Sequence, residues 1–271
     1  MSLNYSVLMS VYYKESPEHL EECIESMLNQ TIKTNDFVLV CDGKLTPGLM
    51  SVLEKYADNP VMNIVYLEKN VGVGEALNIA MPYCKNELIA RMDSDDISLP
   101  DRCEKQLKVF ELMDVDVVGT SIEEFIDDPN HIISQRQVPR LHSDIEKYAK
   151  KRNPVNHVSV MFKKSKALAC GGYQSFYLLE DYYLWIRMIM SGCKFFNMQE
   201  ALVKVRTTHD MFMRRGGYSY FKSNKMLQKF MLESGFISPY RYIMNILERF
   251  AVQVVMPNKI RKLFYLKALR K

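Results

Sequence analysis

The sequence predicts an α/β fold: a doubly wound, mostly parallel sheet followed by a helical C-terminal extension. Three observations predict it. Through residue 122, short β-rich runs alternate with helical patterns, the mark of successive βαβ units. Unusual polar residues collect where those strands end, the edge at which such sheets bind ligands. From Tyr218 onward the pattern turns helical.

The elements follow in order. "YSVLMSV" (5–11) is a buried strand, and "SPEHLEECIESMLNQ" is the helix after it. In that helix Ser16 caps, Pro17 takes the first position, and Leu20, Cys23, Ile24, Met27 and Leu28 share one apolar face. "DFVLVCDG" (36–43) is the second strand and "TPGLMSVLEKYA" the second helix. "VMNIVYLE" (61–68), "ELIARMD" (87–93) and "VDVVGTSI" (115–122) are the next strands, separated by "GVGEALNIAMPYC" and "LPDRCEKQLKVFELM" as helices. Beyond this the regular alternation ends. "EEFIDDPNHIISQRQVP" reads as an excursion with turns, and "NPVNHVSVMFKKS" as a turn and then a strand. "LLEDYYLWIRMIMSG" is a helix, and "ALVKVRTTHD" another strand.

At 271 residues, with 48% apolar and 25% charged side chains, the chain has an ordinary globular composition. Six cysteines without a CxxC pair fall mostly inside apolar patterns, as buried free thiols in a reducing cytoplasm do. The stretch "MSLNYSVLMSVYY" has no basic n-region or small-residue cleavage site, so no signal peptide is expected there. The net charge of +4 is unevenly spread: from Arg241 onward eight Lys or Arg face one acid, Glu248, which leaves residues 1–240 at −3. A mildly acidic body with no visible nucleic-acid module argues against nucleic acid as a partner.

The densest chemistry is "ARMDSDDISLPDR", where Asp93, Asp95 and Asp96 crowd together as the fourth strand ends. Two readings fit. One of Asp95 and Asp96 caps the next helix while the others are solvated. Alternatively, Asp93 and Asp95, spaced at strand period, hold a divalent cation, Mn²⁺ or Mg²⁺, whose charge offsets their repulsion. Tyr12 and Glu15 follow the first strand, Asp42 ends the second and Asn70 follows the third, so all point to the same crevice. "VGVG" lacks the third glycine and the position of a dinucleotide fingerprint, which disfavours NAD.

"SVLMSVYYKE", "VLVCDG", "EKNVGVGEALNIAM", "ARMDSDDISLPDR" and "LLEDYYLWIRM" occur in an order and spacing that resembles family-2 glycosyltransferases of the GT-A fold. "NPVNHVSVMFKK" and "RTTHDMFMRRGG" are similar to segments of small bacterial members that build surface polysaccharides, and the resemblance spans roughly residues 4–217. It implies an inverting, metal-dependent transfer from a nucleotide-diphosphate sugar, with UDP the expected nucleotide, to a saccharide or lipid-linked saccharide. Carried over by motif, Asp42 recognises the donor base, and Tyr12 and Glu15 line the nucleotide pocket. Asn70, Gly72 and Asn78 bring a helix N-terminus to the donor. Asp93 holds the ribose and Asp95 the metal, Asp96 can exchange roles with its neighbour, and Arg91 steadies the carboxylates or touches the base. Asp181 is the base, with Glu180 in support. His157 borders the acceptor, His209 is a further metal or diphosphate ligand, and Arg214 and Arg215 clamp the diphosphate.

The resemblance divides the chain into a catalytic domain, 1–217, and a basic helical extension, 218–271. Within the first, 1–122 binds the nucleotide-sugar and 123–217 supplies the acceptor side. The longest apolar stretch of the tail, "FAVQVVM", is far short of a membrane span. Its basic amphipathic pattern suits either peripheral contact with an anionic membrane, at the inner face of the plasma membrane, or packing on the domain. Two other functions compete. A sugar-1-phosphate nucleotidyltransferase would want a Gly-rich loop after the first strand, where "SVYYKESPEHL" has none. A non-catalytic nucleotide- or carbohydrate-binding protein would not need both "DSDD" and "ED".

Overall fold

β1 (Tyr5–Val11), β2 (Asp36–Cys41), β3 (Met62–Tyr66) and β4 (Leu88–Asp93) form a parallel half-sheet in the order β3-β2-β1-β4. The structure is a computed structural model, and it describes residues 3–207 and 216–257. α1 (Pro17–Leu28), α2 (Pro47–Glu54), α3 (Val73–Ala80) and α4 (Arg102–Leu112) connect these strands and lead on from them. The Ser16 hydroxyl accepts from the His19 N–H at the start of α1, and Thr46 caps α2 in the same way at Leu49, each with proline at the first position.

Strand alternation distributes the core to both faces. Val7, Met9, Phe37, Leu39, Ala90 and Met92 pack against Leu20, Ile24 and Met27 of α1, Leu49 of α2, and Cys103 and Leu107 of α4. Leu8, Val38, Val40 and Ile89 face Ala76 and Leu77 of α3 and the buried Trp185. Burial on both sides is why these strands read as continuous apolar runs. All six cysteines are free, and five are buried.

The second half is mixed. β5 (Ile97–Ser98), β6 (Val117–Phe125), β7 (Ser134–Arg136), β8 (Met161–Lys163) and β9 (Phe195–Arg206) extend the sheet as β4-β8-β6-β9-β5, with β7 beside β6. The run 115–122 therefore does not lie next to β4; the short β8 inserts antiparallel to both. The excursion after residue 122 proves to be a hairpin, since β6 continues to Phe125 and Glu124 pairs with Ser134. Glu124 hides that strand from a hydropathy reading, because its buried carboxylate accepts from the Ser134 hydroxyl instead of facing water.

α5 (His142–Ala149), α6 (Lys164–Ala169) and α7 (Glu180–Met190) precede the C-terminal pair, α8 (Tyr218–Glu233) and α9 (Pro239–Phe250), and a π-helical turn follows over Ala251–Val255. Asn245 of α9 donates to Gln228 of α8 at 2.7 Å and to the Lys150 carbonyl at 2.8 Å. Among the described residues, no helix is long and apolar enough to cross a membrane.

The insertion of β8 positions the site. An antiparallel strand starts where its parallel neighbour ends, so the segment leading into β8 arrives at the carboxyl end of β4. The Arg91 N–H donates to the Val160 carbonyl at 3.0 Å, which ties the two together.

Candidate active site at the carboxyl edge of the sheet

In the parallel register Val11 lies opposite Cys41 and Ser10 opposite Asp93, so the loops after β1, β2 and β4 share one edge. Asp42, just past β2, is buried, and its two carboxylate oxygens accept from the N–H groups of Val71 and Gly72 at 2.7 and 3.0 Å. Asn70 donates back to the Asp42 carbonyl at 3.1 Å. The acid expected at the donor base thus also fixes the loop that leads into α3, whose N-terminus begins at Gly72 with φ +89°. Gly43 makes this possible: its φ is +84°, and a Cβ there would lie 2.6 Å from the Asn70 nitrogen. Gly43→Ala is expected to cost about 2 kcal/mol or more and to loosen the 69–72 loop, as urea unfolding and hydrogen exchange would show. Tyr12 is exposed at the same edge, edge-on to Tyr13.

The acidic cluster separates into distinct roles. Arg91, fully buried, pairs with the half-exposed Asp93. Burial alone would depress the guanidinium, but the Asp93 carboxylate holds it charged. Its Nε and Nη1 stay buried without a hydrogen-bond partner. Glu15 accepts from the Ser94 hydroxyl at 2.8 Å and from the Ser16 N–H at 2.9 Å, which brings its charge close to the cluster. Burial, with Asp93 and then Glu15 nearby, pushes the Asp95 carboxyl up to about 7. Asp96 is buried and accepts from the Arg206 N–H at 2.7 Å. Its carboxylate joins the turn to β9, whereas that of Asp93 lies half-exposed beside Arg91, with Asp95 next to it. Among the described residues no three His, Cys, Asp or Glu side chains form a complete metal cage. Two crowded carboxylates, one of them destabilised by its neighbours' charge, fit a hard dication that completes its shell with substrate oxygens.

Glu180 and Asp181 open α7, preceded by Leu178 at φ 57°, the single non-glycine residue with positive φ among those described. Asp181 accepts from the Asn153 amide at 2.6 Å and from the Tyr182 N–H at 2.6 Å. Burial raises its carboxyl above the ordinary range, although both hydrogen bonds oppose the shift. Burial and the adjacent Asp181 push Glu180 up to about 7. Gly74 lets α3 pack against Glu180, since a Cβ there would lie 3.0 Å from the Glu180 Cβ. The Asn78 amide lies against Gly172 on the same side. His157 bonds to the Tyr173 hydroxyl at 2.8 Å, and burial, then Arg91, lowers its pKa well below the ordinary value, so it is neutral at pH 7.

Asp93, His157 and Asp181 line one cavity of about 340 Å³, together with Arg249 and with Lys151 and Arg152, which pair with Glu248 at 3.0 and 3.7 Å. The structure therefore brings Arg91, Asp93, Asp95, Glu15, His157, Glu180 and Asp181 to one region, with Asp42, Asn70, Gly72 and Tyr12 along the same sheet edge. His209, Arg214 and Arg215 lie outside the described residues. Sequence reading passed over Asn153, which orients Asp181, Arg206, which holds the Asp95–Asp96 turn, and the buried Arg102, which donates to the Arg91 carbonyl at 2.7 Å. Only Asn153 had a local signal, the "NPVN" turn before β8.

Glu180 makes a pH prediction. Its folded pKa of about 7 exceeds the ordinary 4.5, so its burial destabilises the fold increasingly as pH rises from 4.5 and fully above 7. Glu180→Gln is expected to stabilise the protein at pH 8 by on the order of 1–3 kcal/mol, with most of that gain gone at pH 5. Urea titrations at the two pH values measure it.

Comparison with known proteins agrees with the geometry. The sequence model described as glycosyl transferase family 2 matches residues 6–172. The amylovoran biosynthesis glycosyltransferase AmsE of Erwinia amylovora is 38% identical over 266 residues, covering 96% of this chain and 97% of that protein. An Escherichia coli UDP-Gal:alpha-D-GlcNAc-diphosphoundecaprenol beta-1,3-galactosyltransferase is 36% identical over 268 residues, covering 98% and 97%. Among solved structures, Staphylococcus aureus TarS 1-349 in complex with UDP-GlcNAc superposes with a TM-score of 0.70 at 15% identity, covering 98% of this chain and 76% of that one. The mannosyltransferase PcManGT of Pyrobaculum calidifontis, in complex with GDP-Man and Mn²⁺, does so at 0.64 and 16%, covering 93% and 70%. The sheet order and these likenesses give the chain the GT-A fold. The chain belongs to glycosyl transferase family 2.

Proposed function

We propose that this protein transfers a sugar, with inversion, from a UDP-sugar to a lipid-linked saccharide in bacterial surface-polysaccharide synthesis, at the inner face of the plasma membrane. The observation that carries the reading is the cavity that Asp93, from the donor edge of the sheet, and Asp181, from the first turn of α7, line together. The relatives named for amylovoran biosynthesis and for galactosyl transfer to a diphosphoundecaprenol saccharide support the substrate classes.

In this reading Asp42, Tyr12, Glu15 and Asn70 position the nucleotide and Arg91 steadies Asp93. Asp93 and Asp95 hold Mn²⁺ or Mg²⁺, and His209 is a further ligand. When bound, the cation supplies positive charge to the departing diphosphate. Asp181 takes the proton of the acceptor hydroxyl as its oxygen bonds to the anomeric carbon and the bond from that carbon to the phosphate oxygen breaks, releasing UDP. Asn153 and the Tyr182 N–H aim the Asp181 carboxylate; each of its oxygens keeps a lone pair for the acceptor. Lys151, Arg152 and Arg249 in the cavity lining suit the diphosphate of a lipid-linked acceptor, with Arg214 and Arg215 as further contacts. Residues 1–217 form the catalytic unit, and 218–271 add to its acceptor side.

A panel of nucleotide-sugars tested for Mn²⁺-dependent thermal stabilisation checks the donor class. Saturation at 100 times the dissociation constant adds about 2.7 kcal/mol, a rise of roughly 5–10 °C in a chain of this size. No shift with any UDP-sugar would remove the donor assignment.

A further inference from the structure

α9 is amphipathic the wrong way round. Beside Tyr242, which packs on the core, its inward side is polar: Asn245 bonds to Gln228 and to the Lys150 carbonyl, and Arg249 donates to Asn224 at 2.9 Å and to the Lys151 carbonyl at 2.6 Å. Its apolar residues face outward. Tyr240, Ile243, Met244, Leu247 and Phe250 are 44–73% exposed and fall on one arc of about 120° at 3.6 residues per turn. Val254 and Val255 continue the exposed apolar surface past the helix end. A helix that packs on its own domain buries its apolar stripe; this one makes hydrogen bonds to the domain and leaves Tyr240, Ile243, Met244 and Leu247 largely exposed, while Phe250 at the end of the stripe lies edge-on to Phe221 of α8.

We infer that this face of α9 enters the headgroup region of an anionic bilayer. Charge selects a bilayer over a protein groove or a second copy. Residues 258–271, which follow the apolar face directly in the chain, carry six Lys or Arg and no acid, and Arg241 is exposed on α9 itself. Apolar side chains flanked by cations are what an interfacial helix needs: burial of the first and attraction of the second to anionic lipid. A second copy would bring the same positive charge against itself.

The same helix turns Glu248 and Arg249 toward the cavity that Asp181 lines, and Val252 and Gln253 continue that wall. One side of a single helix therefore meets the membrane while its other side closes the acceptor cavity. This deepens the proposed function, on which it rests for its purpose though not for its test: a saccharide carried on a membrane lipid would reach Asp181 without leaving the surface.

Point variants are the cleaner probe, because a cut after Gly235, which the charge distribution alone suggests, also removes these four residues of the cavity wall. The full chain is co-sedimented with phosphatidylcholine vesicles with and without about 30% phosphatidylglycerol. Wild type is expected to pellet with the anionic vesicles. Ile243→Glu/Leu247→Glu is expected to bind them at least about tenfold more weakly, with an unchanged melting temperature, since both side chains are exposed. In a second measurement Leu247→Trp should shift its emission to the blue on adding anionic vesicles; the natural Trp185 is buried and stays silent. Equal binding by the double variant, or no emission shift, overturns the inference. So does a wild-type dimer that the double variant dissociates without vesicle binding by either, which would make the face a contact between copies. UDP-dependent stabilisation, measured alongside, reads the donor site separately: vesicle binding without it sinks the transferase reading alone, and it without vesicle binding sinks the membrane face alone.

Discussion

Asp181→Asn is expected to leave UDP-sugar affinity within about twofold of wild type and to lower kcat by at least 10²–10⁴-fold, the range a positioned general base contributes. The geometry makes this substitution selective. The amide keeps the size of the carboxylate, and its oxygen can still accept from Asn153, at the cost of the bond that the second carboxylate oxygen accepts from the Tyr182 N–H. What it loses is the ability to take a proton. Asn153→Ala makes a companion test, because it leaves the base in place but unaimed; its kcat should fall less than that of Asp181→Asn. Removing this hydrogen bond also takes away an interaction that lowers the Asp181 pKa, so the acidic limb of its pH–rate profile should move to higher pH. A purely structural role for Asn153 would not shift that limb. Asp181→Asn turning over at the wild-type rate would show that another group is the base.

The second large effect belongs to Asp95→Ala. It is expected to abolish the Mn²⁺-dependent part of donor stabilisation, about 2.7 kcal/mol at 100 times the dissociation constant. The metal-free protein should melt no lower than wild type, because Asp95 sits among like charges from Asp93 and Glu15 and its removal relieves them. Asp96→Ala should instead keep the Mn²⁺-dependent shift. It leaves the Arg206 N–H without its acceptor, a loss of about 1–3 kcal/mol from the turn to β9. Against that loss stands a relief, since burial, then the Asp95 and Asp93 charges, holds the Asp96 carboxyl well above the ordinary range. Thermal melts of both variants, with and without Mn²⁺ and UDP-sugar, separate the ligand from the structural acid. If Asp95→Ala kept a full Mn²⁺-dependent shift, the metal would be held elsewhere.

Much of the fold was legible in the chain. The parallel half announces itself because strands buried on both faces must be apolar throughout, as in "YSVLMSV" and "DFVLVC", and because Ser16–Pro17 and Thr46–Pro47 mark helix starts chemically. The candidate site was legible for the same reason: polar residues that interrupt such runs, Asp42 and Asp93, fall where the strands must end. The second half was harder. β8 is three residues long, and β6 carries a buried Glu124 whose carboxylate accepts from the Ser134 hydroxyl, a partner distant enough to leave no strand pattern.

Sequence by itself determined which polar residues stand at the carboxyl edge of the sheet and which segments alternate with strand or helix period. Tertiary structure alone decided three things. It placed β8 between β4 and β6, which delivers Asn153 and His157 to the cavity. It separated Asp95 from Asp96 by giving one of them the Arg206 N–H. It turned the polar side of α9 inward and the apolar side out. The physical reason is common to all three. Periodicity records which side of an element is apolar, but what that side faces depends on partners distant in the chain, and the hydrogen bonds that fix those partners leave no local pattern.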